Sequence, residues 1–279
     1  MSNPNPPNRR PVTAVADIRG LWRRSLIRWP DGRSDTRTAV SWLQTPSLFV
    51  DLRQPADRPS FDGVHCLRDL GRAHIHWLAA QEGFAGETLC DGHHVEWQRW
   101  IDFQPQSAFP DAGKLWFERD VMLEQGREVP YLEHWHREGA AAQPCGGIAL
   151  RETTSGQAAM LVRAGDRFMY ARARPTGLPP LSDLRGLVGD APAADMMQDL
   201  IDCEISGGFV GIDGWRIEQS TLPFKERRWL QPITGHGSAI DGGAMLRTHD
   251  LSVDGKALER RWEITRVEGI LADLLRISG

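Results

Sequence analysis

Residues 131–139, Tyr-Leu-Glu-His-Trp-His-Arg-Glu-Gly, set two histidines one residue apart among aromatic rings, two carboxylates and an arginine. Successive side chains of a strand face opposite sides, so only alternate residues can serve one site. One face carries Tyr131, Glu133, Trp135 and Arg137; the other carries Leu132, His134, His136 and Glu138. His134, His136 and Glu138 match the donor types of a zinc or non-haem iron centre, with His94 or Glu96 available from a neighbouring strand. The Tyr131/Trp135 face has the greater apolar bulk and is expected to turn inward. That leaves the histidine pair at the surface and a metal centre as the alternative.

The same mixture of rings and guanidiniums recurs upstream. In 94–103 the more apolar face reads Val95, Trp97, Arg99, Ile101, Phe103, and in 115–123 it reads Leu115, Phe117, Arg119, Val121, Leu123. Buried guanidiniums need partners, because an isolated buried charge costs on the order of several kcal/mol. Either the three arginines join Glu133 in a self-satisfied network, or they face a ligand. Glu133 alone cannot neutralise Arg99, Arg119 and Arg137, so the expectation is a pocket. Its walls are Trp97, Phe117, Tyr131 and Trp135, and its three arginines meet an acidic or carbonyl group of a small apolar ligand. An enzyme on the same frame, a cofactor-independent lyase, hydratase or isomerase, would use Glu133 as proton acceptor with Arg137 stabilising enolate-like charge. Glu204 is a second candidate base: Asp202, Glu204 and Ser206 share one face of 201–208, a face that is ordinarily solvated. A third reading is a structural or interaction protein whose interior is simply packed.

The elements that must position these residues are mostly strands. Short β-rich runs alternate with turn pairs at Asp91-Gly92, Ser155-Gly156, Gly165-Asp166, Asp213-Gly214 and Asp254-Gly255, which are hairpin signals. Two stretches interrupt them. Residues 66–83 have apolar groups at three- and four-residue spacing and end at Gly83, which predicts a helix that sends His74 and His76 to different sides. Residues 181–201 predict a short helical interlude. About a dozen strands joined by tight turns predict a mainly β chain, an antiparallel up-and-down barrel with helices only as insertions. The Pro- and Asn-rich residues 1–16 predict a disordered tail. Residues 17–279 then form one large domain, or two lobes near 17–140 and 141–279. The glycine-rich 236–243 reads as a loop and a candidate lid.

Composition narrows the classes. A net charge of −4 from 33 basic and 37 acidic residues, spread along 279 positions, gives no basic stripe for nucleic acid or an anionic membrane. The four cysteines form no C-x-x-C pair, so neither a zinc ribbon nor a disulfide frame is expected. The N-terminus lacks a secretory pattern and no run of apolar residues is long enough to span a bilayer, so a cytoplasmic protein is expected. Dinucleotide, P-loop, H-E-x-x-H and G-x-S-x-G motifs are missing from the sequence, and no cofactor is expected. A homodimer is compatible with this reading.

Gly20-Leu21-Trp22 opening the first long strand, with Arg266 in the last, resembles the Gly-x-Trp and closing arginine of the calycin superfamily, which includes lipocalins and fatty-acid-binding proteins. Two-lobed lipocalin-like hydratases and cyclases, and a fungal calycin-like family, are similar in general form. The resemblance implies an up-and-down barrel that binds ligand at its mouth. It also implies that Trp22 plugs the closed end beneath Arg266, making both structural.

Overall fold

The computed structural model describes residues 9–139, 142–235 and 244–277, arranged as two antiparallel sheets. The first sheet holds β1 (Arg9–Pro11), β2 (Gly20–Arg28), β3 (Ser34–Asp35), β4 (Ala39–Gln44) and β5 (Leu48–Gln54). It continues with β6 (Glu82–Cys90), β7 (Val95–Asp102), β8 (Asp111–Glu118), β9 (Val121–Gly126) and β10 (Leu132–Glu138). The second holds β11 (Cys145–Glu152), β12 (Ala158–Ala164), β13 (Arg167–Arg172), β14 (Glu204–Gly211) and β15 (Gly214–Ser220). Its last members are β16 (Ile233–Gly235), β17 (Met245–Leu251) and β18 (Ala257–Glu268).

In the first sheet β10 pairs with β9 on one side and with β2 on the other. This closes an eight-stranded barrel in the order β2-β4-β5-β6-β7-β8-β9-β10, with β1 laid against β8 and β3 against β2. Closure leaves the eight strands without a free edge. The second sheet stays open, in the order β15-β14-β13-β12-β11-β18-β17-β16, and curls into a half-barrel. The expected mainly β, up-and-down architecture is present, and each of the five expected turn pairs joins consecutive strands. No helix among the described residues is long and apolar enough to cross a membrane.

Alternation sorts the side chains into three apolar regions. The barrel interior holds Trp22, Trp42, Phe49, Phe84, Trp97, Phe117 and Trp135. Outward residues of β4 and β5, including Leu43, Val50 and Leu52, pack against Met160, Val162, Met169 and Ile205 of the half-barrel. The helices α1 (Arg72–Leu78), α2 (Leu184–Asp190) and α3 (Ala194–Leu200) bury Ile75, Leu78, Leu184, Val188 and Met197 in that layer. The opposite face of the half-barrel is lined by Leu161, Phe168, Tyr170, Trp215 and Trp262, and α4 (Leu271–Leu275) adds Leu274 to it.

Three expectations about elements change. The helix predicted over 66–83 is a 3₁₀ turn at Leu67–Asp69 followed by the seven-residue α1. Gly83 does not stop a helix. It lies within β6, where a Cβ would come 2.8 Å from the Asp51 carbonyl and 2.8 Å from Ile205 Cδ1, so it lets β6 approach the second sheet closely. Residues 9–16 of the expected disordered tail are ordered: β1 pairs with β8, Val12 is buried, and Arg10 lies 4.3 Å over the Phe117 ring. Residues 1–8 of that tail, and the expected lid at 236–243, lie outside the described residues.

Candidate functional site

The inward residues of β5, β7, β8 and β10 open at one end of the barrel into a cleft of about 910 Å³. Arg53, Trp97, Arg99, Asp111, Tyr131 and Glu133 line it. Below it is a small hollow that shares Arg53, Trp97 and Asp111 as walls and is floored by Trp42, Phe84, Glu124 and Trp135. At the other end Trp22, fully buried, donates from Nε1 to the Ile18 carbonyl at 2.7 Å and stacks on Trp42 at 6.3 Å.

Of the residues expected inward, Trp97, Phe117, Tyr131, Glu133 and Trp135 do face the barrel interior. Arg99 reaches the mouth with its side chain 28 % exposed. Arg119 is not inside. It is an exposed turn residue at φ +58 between β8 and β9, because 114–123 is a hairpin rather than one strand. The turn reverses the phase, so Met122 and Glu124 face inward where Val121 and Leu123 were expected. Arg137 sits at the closed end, away from the cleft: its guanidinium lies 4.6 Å over the Trp22 ring and donates to the Asp17 carbonyl at 2.6 Å. It fills the place expected for Arg266, which instead donates to Ser47 Oγ at 2.7 Å and Glu87 at 2.8 Å.

His134 and His136 face away from the interior. His136 Nε2 lies 2.9 Å from Ser25 Oγ, and Glu138 pairs with Arg23 and, at 3.1 Å, with Arg167 of the half-barrel. Among the described residues no three His, Cys, Asp or Glu side chains converge as a metal-holding group. Glu204 is buried rather than solvated, and it lies in the half-barrel, not in the barrel mouth.

Charge in the barrel is the reverse of the expectation. Around the cleft and the hollow below it, three guanidiniums, from Arg24, Arg53 and Arg99, sit among seven carboxyl groups, from Asp51, Glu82, Glu96, Asp102, Asp111, Glu124 and Glu133. Every one of these arginines is paired. Arg24 donates to Glu133 at 2.6 Å, Arg53 to Asp51 at 2.8 Å, and Arg99 to Asp111 at 2.6 Å and Asp102 at 3.1 Å. The buried carboxyl left over is Glu124, which has no cation within ion-pair distance among the described residues. It accepts instead from the Tyr131 hydroxyl at 2.6 Å and from Trp135 Nε1 at 3.0 Å. Gly126 makes room for this: a Cβ there would lie 2.2 Å from the Val129 carbonyl and 2.5 Å from the Tyr131 ring.

Burial pushes the Glu124 carboxyl well above the usual carboxylate range, and the nearby charges of Glu133 and Asp111 push it further. Burial also raises Glu133, Asp51 and Asp102, against the opposing pull of Arg53, Arg24 and Arg99. Trp42, 2 % exposed, adds an Nε1–H that has no hydrogen-bond partner among the described residues. A paired mouth, an unpaired acid and an unused donor in its floor are chemically ready to hold one polar atom of a guest.

The raised Glu124 makes a testable statement about stability. A carboxyl whose pKa is higher folded than unfolded binds more protons when folded. Its contribution is therefore complete below the unfolded carboxylate range and is lost as pH rises through the folded pKa. Glu124→Gln mimics the protonated acid: its oxygen accepts from Trp135 and its amide donates to the Tyr131 oxygen. The variant is expected to melt about 2–4 °C higher than wild type at pH 8 and at the same temperature at pH 4, by calorimetry. A lower melting temperature at pH 8 would mean that Glu124 is an anion held by its two donors.

No protein-family model matches the chain, and no curated protein matches it. Among solved structures, the chain is similar to an uncharacterized protein, YLR301w, of Saccharomyces cerevisiae. The identity is 12 %, the TM-score is 0.47, and the match covers 88 % of this chain and 98 % of that one.

Proposed function

We propose that the open end of the barrel binds a small, largely aromatic molecule through a carbonyl or comparable acceptor atom, with the Glu124 carboxylic acid and Trp42 Nε1–H as donors. The observation that carries this reading is the position of Glu124: buried, without a cation, and forming the floor of a hollow that adjoins the cleft. A buried neutral acid can donate one strong hydrogen bond, which a carboxylate cannot. Trp97 and Tyr131 supply flat walls for an aromatic body.

Of the two ligand groups expected from the sequence, the carbonyl is the better supported. A ligand carboxylate would have to displace Asp51, Asp102, Asp111 or Glu133 from a guanidinium that already holds it. A calycin-like arrangement, with Gly20-x-Trp22 at the closed end under Arg137 and ligand at the other end, supports the same placement.

One observation favours a second reading, acid–base catalysis on such a ligand. Glu124 and Glu133 are neighbouring buried acids in different surroundings, one with only neutral donors and one held by Arg24. Environments that separate two carboxyls in this way divide donor and acceptor roles. Glu124, rather than Glu133 or Glu204, would then carry the proton to a carbonyl oxygen.

The test is a tryptophan-fluorescence titration with 2-acetylnaphthalene, a neutral aromatic ketone. Saturable quenching is expected, weakened at least about tenfold by Trp97→Ala and unchanged by Arg119→Ala. An unsaturable response, or equal affinity in Trp97→Ala, would count against the barrel mouth as the site.

A further inference from the structure

The half-barrel has a second polar hollow of about 310 Å³, on the sheet face that does not meet the closed barrel. Its floor is built from Tyr170 on β13, Glu204 on β14, Thr248 and Asp250 on β17, and Lys225 at the end of the 3₁₀ turn Pro223–Lys225. The floor charges are internally satisfied. Lys225 Nζ is 3.5 Å from Glu204 and in ion contact with Asp250, which also pairs with Arg260. Arg260 reaches Glu152 at 2.8 Å, and Arg172 reaches Asp202 at 2.7 Å.

Two features are not used up by the fold. The Tyr170 side chain is 2 % exposed and lines the hollow, yet its hydroxyl makes no hydrogen bond among the described residues. The hydroxyl opens onto the hollow, where an acceptor supplied from outside can meet it. The rim is the second feature. Arg227 is held at φ +66, a left-handed conformation that an arginine rarely adopts, and Gln231 of the same corner is at φ +47. Such strain persists only where the surrounding structure holds it, and it is frequent at ligand clamps. The Arg227 side chain is exposed, and its guanidinium has no carboxylate partner among the described residues. Beside it, Arg228 donates through Nε to the Phe224 carbonyl at 2.8 Å, and the Trp229 ring is 39 % exposed.

We propose that this hollow is a second ligand site, taking a planar aromatic carboxylate. The carboxylate meets Arg227 and Arg228 at the rim, the ring lies along Trp229, and a hydrogen-bond acceptor at the far end reaches the Tyr170 hydroxyl. Arginine forks favour carboxylate geometry, and an exposed indole beside them offers a stacking surface. Burial holds the Lys225 amine below its usual range, with Glu204 opposing, which keeps the floor receptive to a polar rather than a strongly charged group. This site is independent of the barrel-mouth proposal and selects the opposite kind of ligand.

The experiment is a fluorescence titration of the full chain with 6-hydroxy-2-naphthoate and, in parallel, 2-naphthoate. Saturable binding of both is expected, with the hydroxy compound bound more tightly. Arg227→Ala should weaken both at least about tenfold, Tyr170→Phe should abolish the preference for the hydroxy compound, and Glu124→Gln should change neither. Arg227 is exposed, so its variant keeps the result decisive even where Tyr170→Phe does not fold. No saturable binding at millimolar ligand, unchanged affinity in Arg227→Ala, or a loss on Glu124→Gln would each overturn the proposal, the last by placing the aromatic acid in the closed barrel.

Discussion

Replacing Trp22 with alanine should lower the unfolding free energy by about 3–5 kcal/mol, measured by urea denaturation followed by far-UV circular dichroism. Trp22 is fully buried at the closed end of the barrel, between Trp42 and Phe117, with centroids 6.3 Å and 6.1 Å away. The loss has three physical parts. The indole leaves a cavity that rigid barrel walls cannot collapse into, the Ile18 carbonyl loses its donor, and Arg137 loses the ring beneath it. A domain stable by about 5–15 kcal/mol cannot absorb such a change unnoticed. A shift below about 1 kcal/mol would mean that the closed end is held by backbone closure alone.

The second large effect concerns the mouth. Arg24→Met should destabilise the protein by about 3–5 kcal/mol at pH 7, because it strands Glu133 in the interior. The two side chains are 6 % and 2 % exposed and meet at 2.6 Å; without Arg24 the nearest cation to Glu133 is Arg53 at 3.9 Å. The sign with pH follows from Glu133, whose carboxyl burial already raises. Arg53 and Arg24 both oppose that rise, and losing Arg24, its hydrogen-bond donor, raises it further, so the variant's deficit is small in acid, where Glu133 is protonated folded and unfolded alike. The deficit grows as pH rises towards and through the folded pKa. Arg24→Met combined with Glu133→Gln should recover most of the loss at pH 7. A deficit of the same size at pH 4 and pH 7 would show that lost packing of the arginine stem, not the stranded charge, is responsible.

The turn pairs and the alternation of β10 made much of the barrel readable from the chain. Asp91-Gly92 is a clear case: Gly92 sits at φ +87, while Asp91 accepts from the backbone N–H groups of His93 and His94. The inward set Tyr131, Glu133 and Trp135 followed from apolar bulk alone, since a one-residue slip would bury two histidines in place of two rings. What escaped was the hairpin at Arg119-Asp120. It carries no glycine or asparagine to announce itself, and Arg119 takes the left-handed conformation that such turns usually give to those residues. Missing that turn reversed the phase of β9 and concealed Glu124, the most unusual acid of the interior. The cross-strand partners of Arg53 and Arg99 come from β6, β8 and β10, through Glu82, Asp111 and Glu133, and sequence spacing does not show which strands close into a ring. Glu204 was hidden for a different reason. Asp202, Glu204 and Ser206 alternate with Ile201, Cys203 and Ile205 as on a half-solvated strand, yet both faces are buried, and the polar side is met by Arg172, Lys225 and Ser220 rather than by water.

The pH dependence of 2-acetylnaphthalene affinity, compared between wild type and Glu124→Gln, bears most directly on the barrel-mouth site. If a neutral Glu124 donates to the guest, wild-type affinity should fall as pH rises through the titration of that acid, and the fall should vanish in Glu124→Gln, whose amide cannot lose a proton in that range. The same pH profile in both proteins would contradict a hydrogen bond from Glu124 and remove the chemical basis for the proposed site.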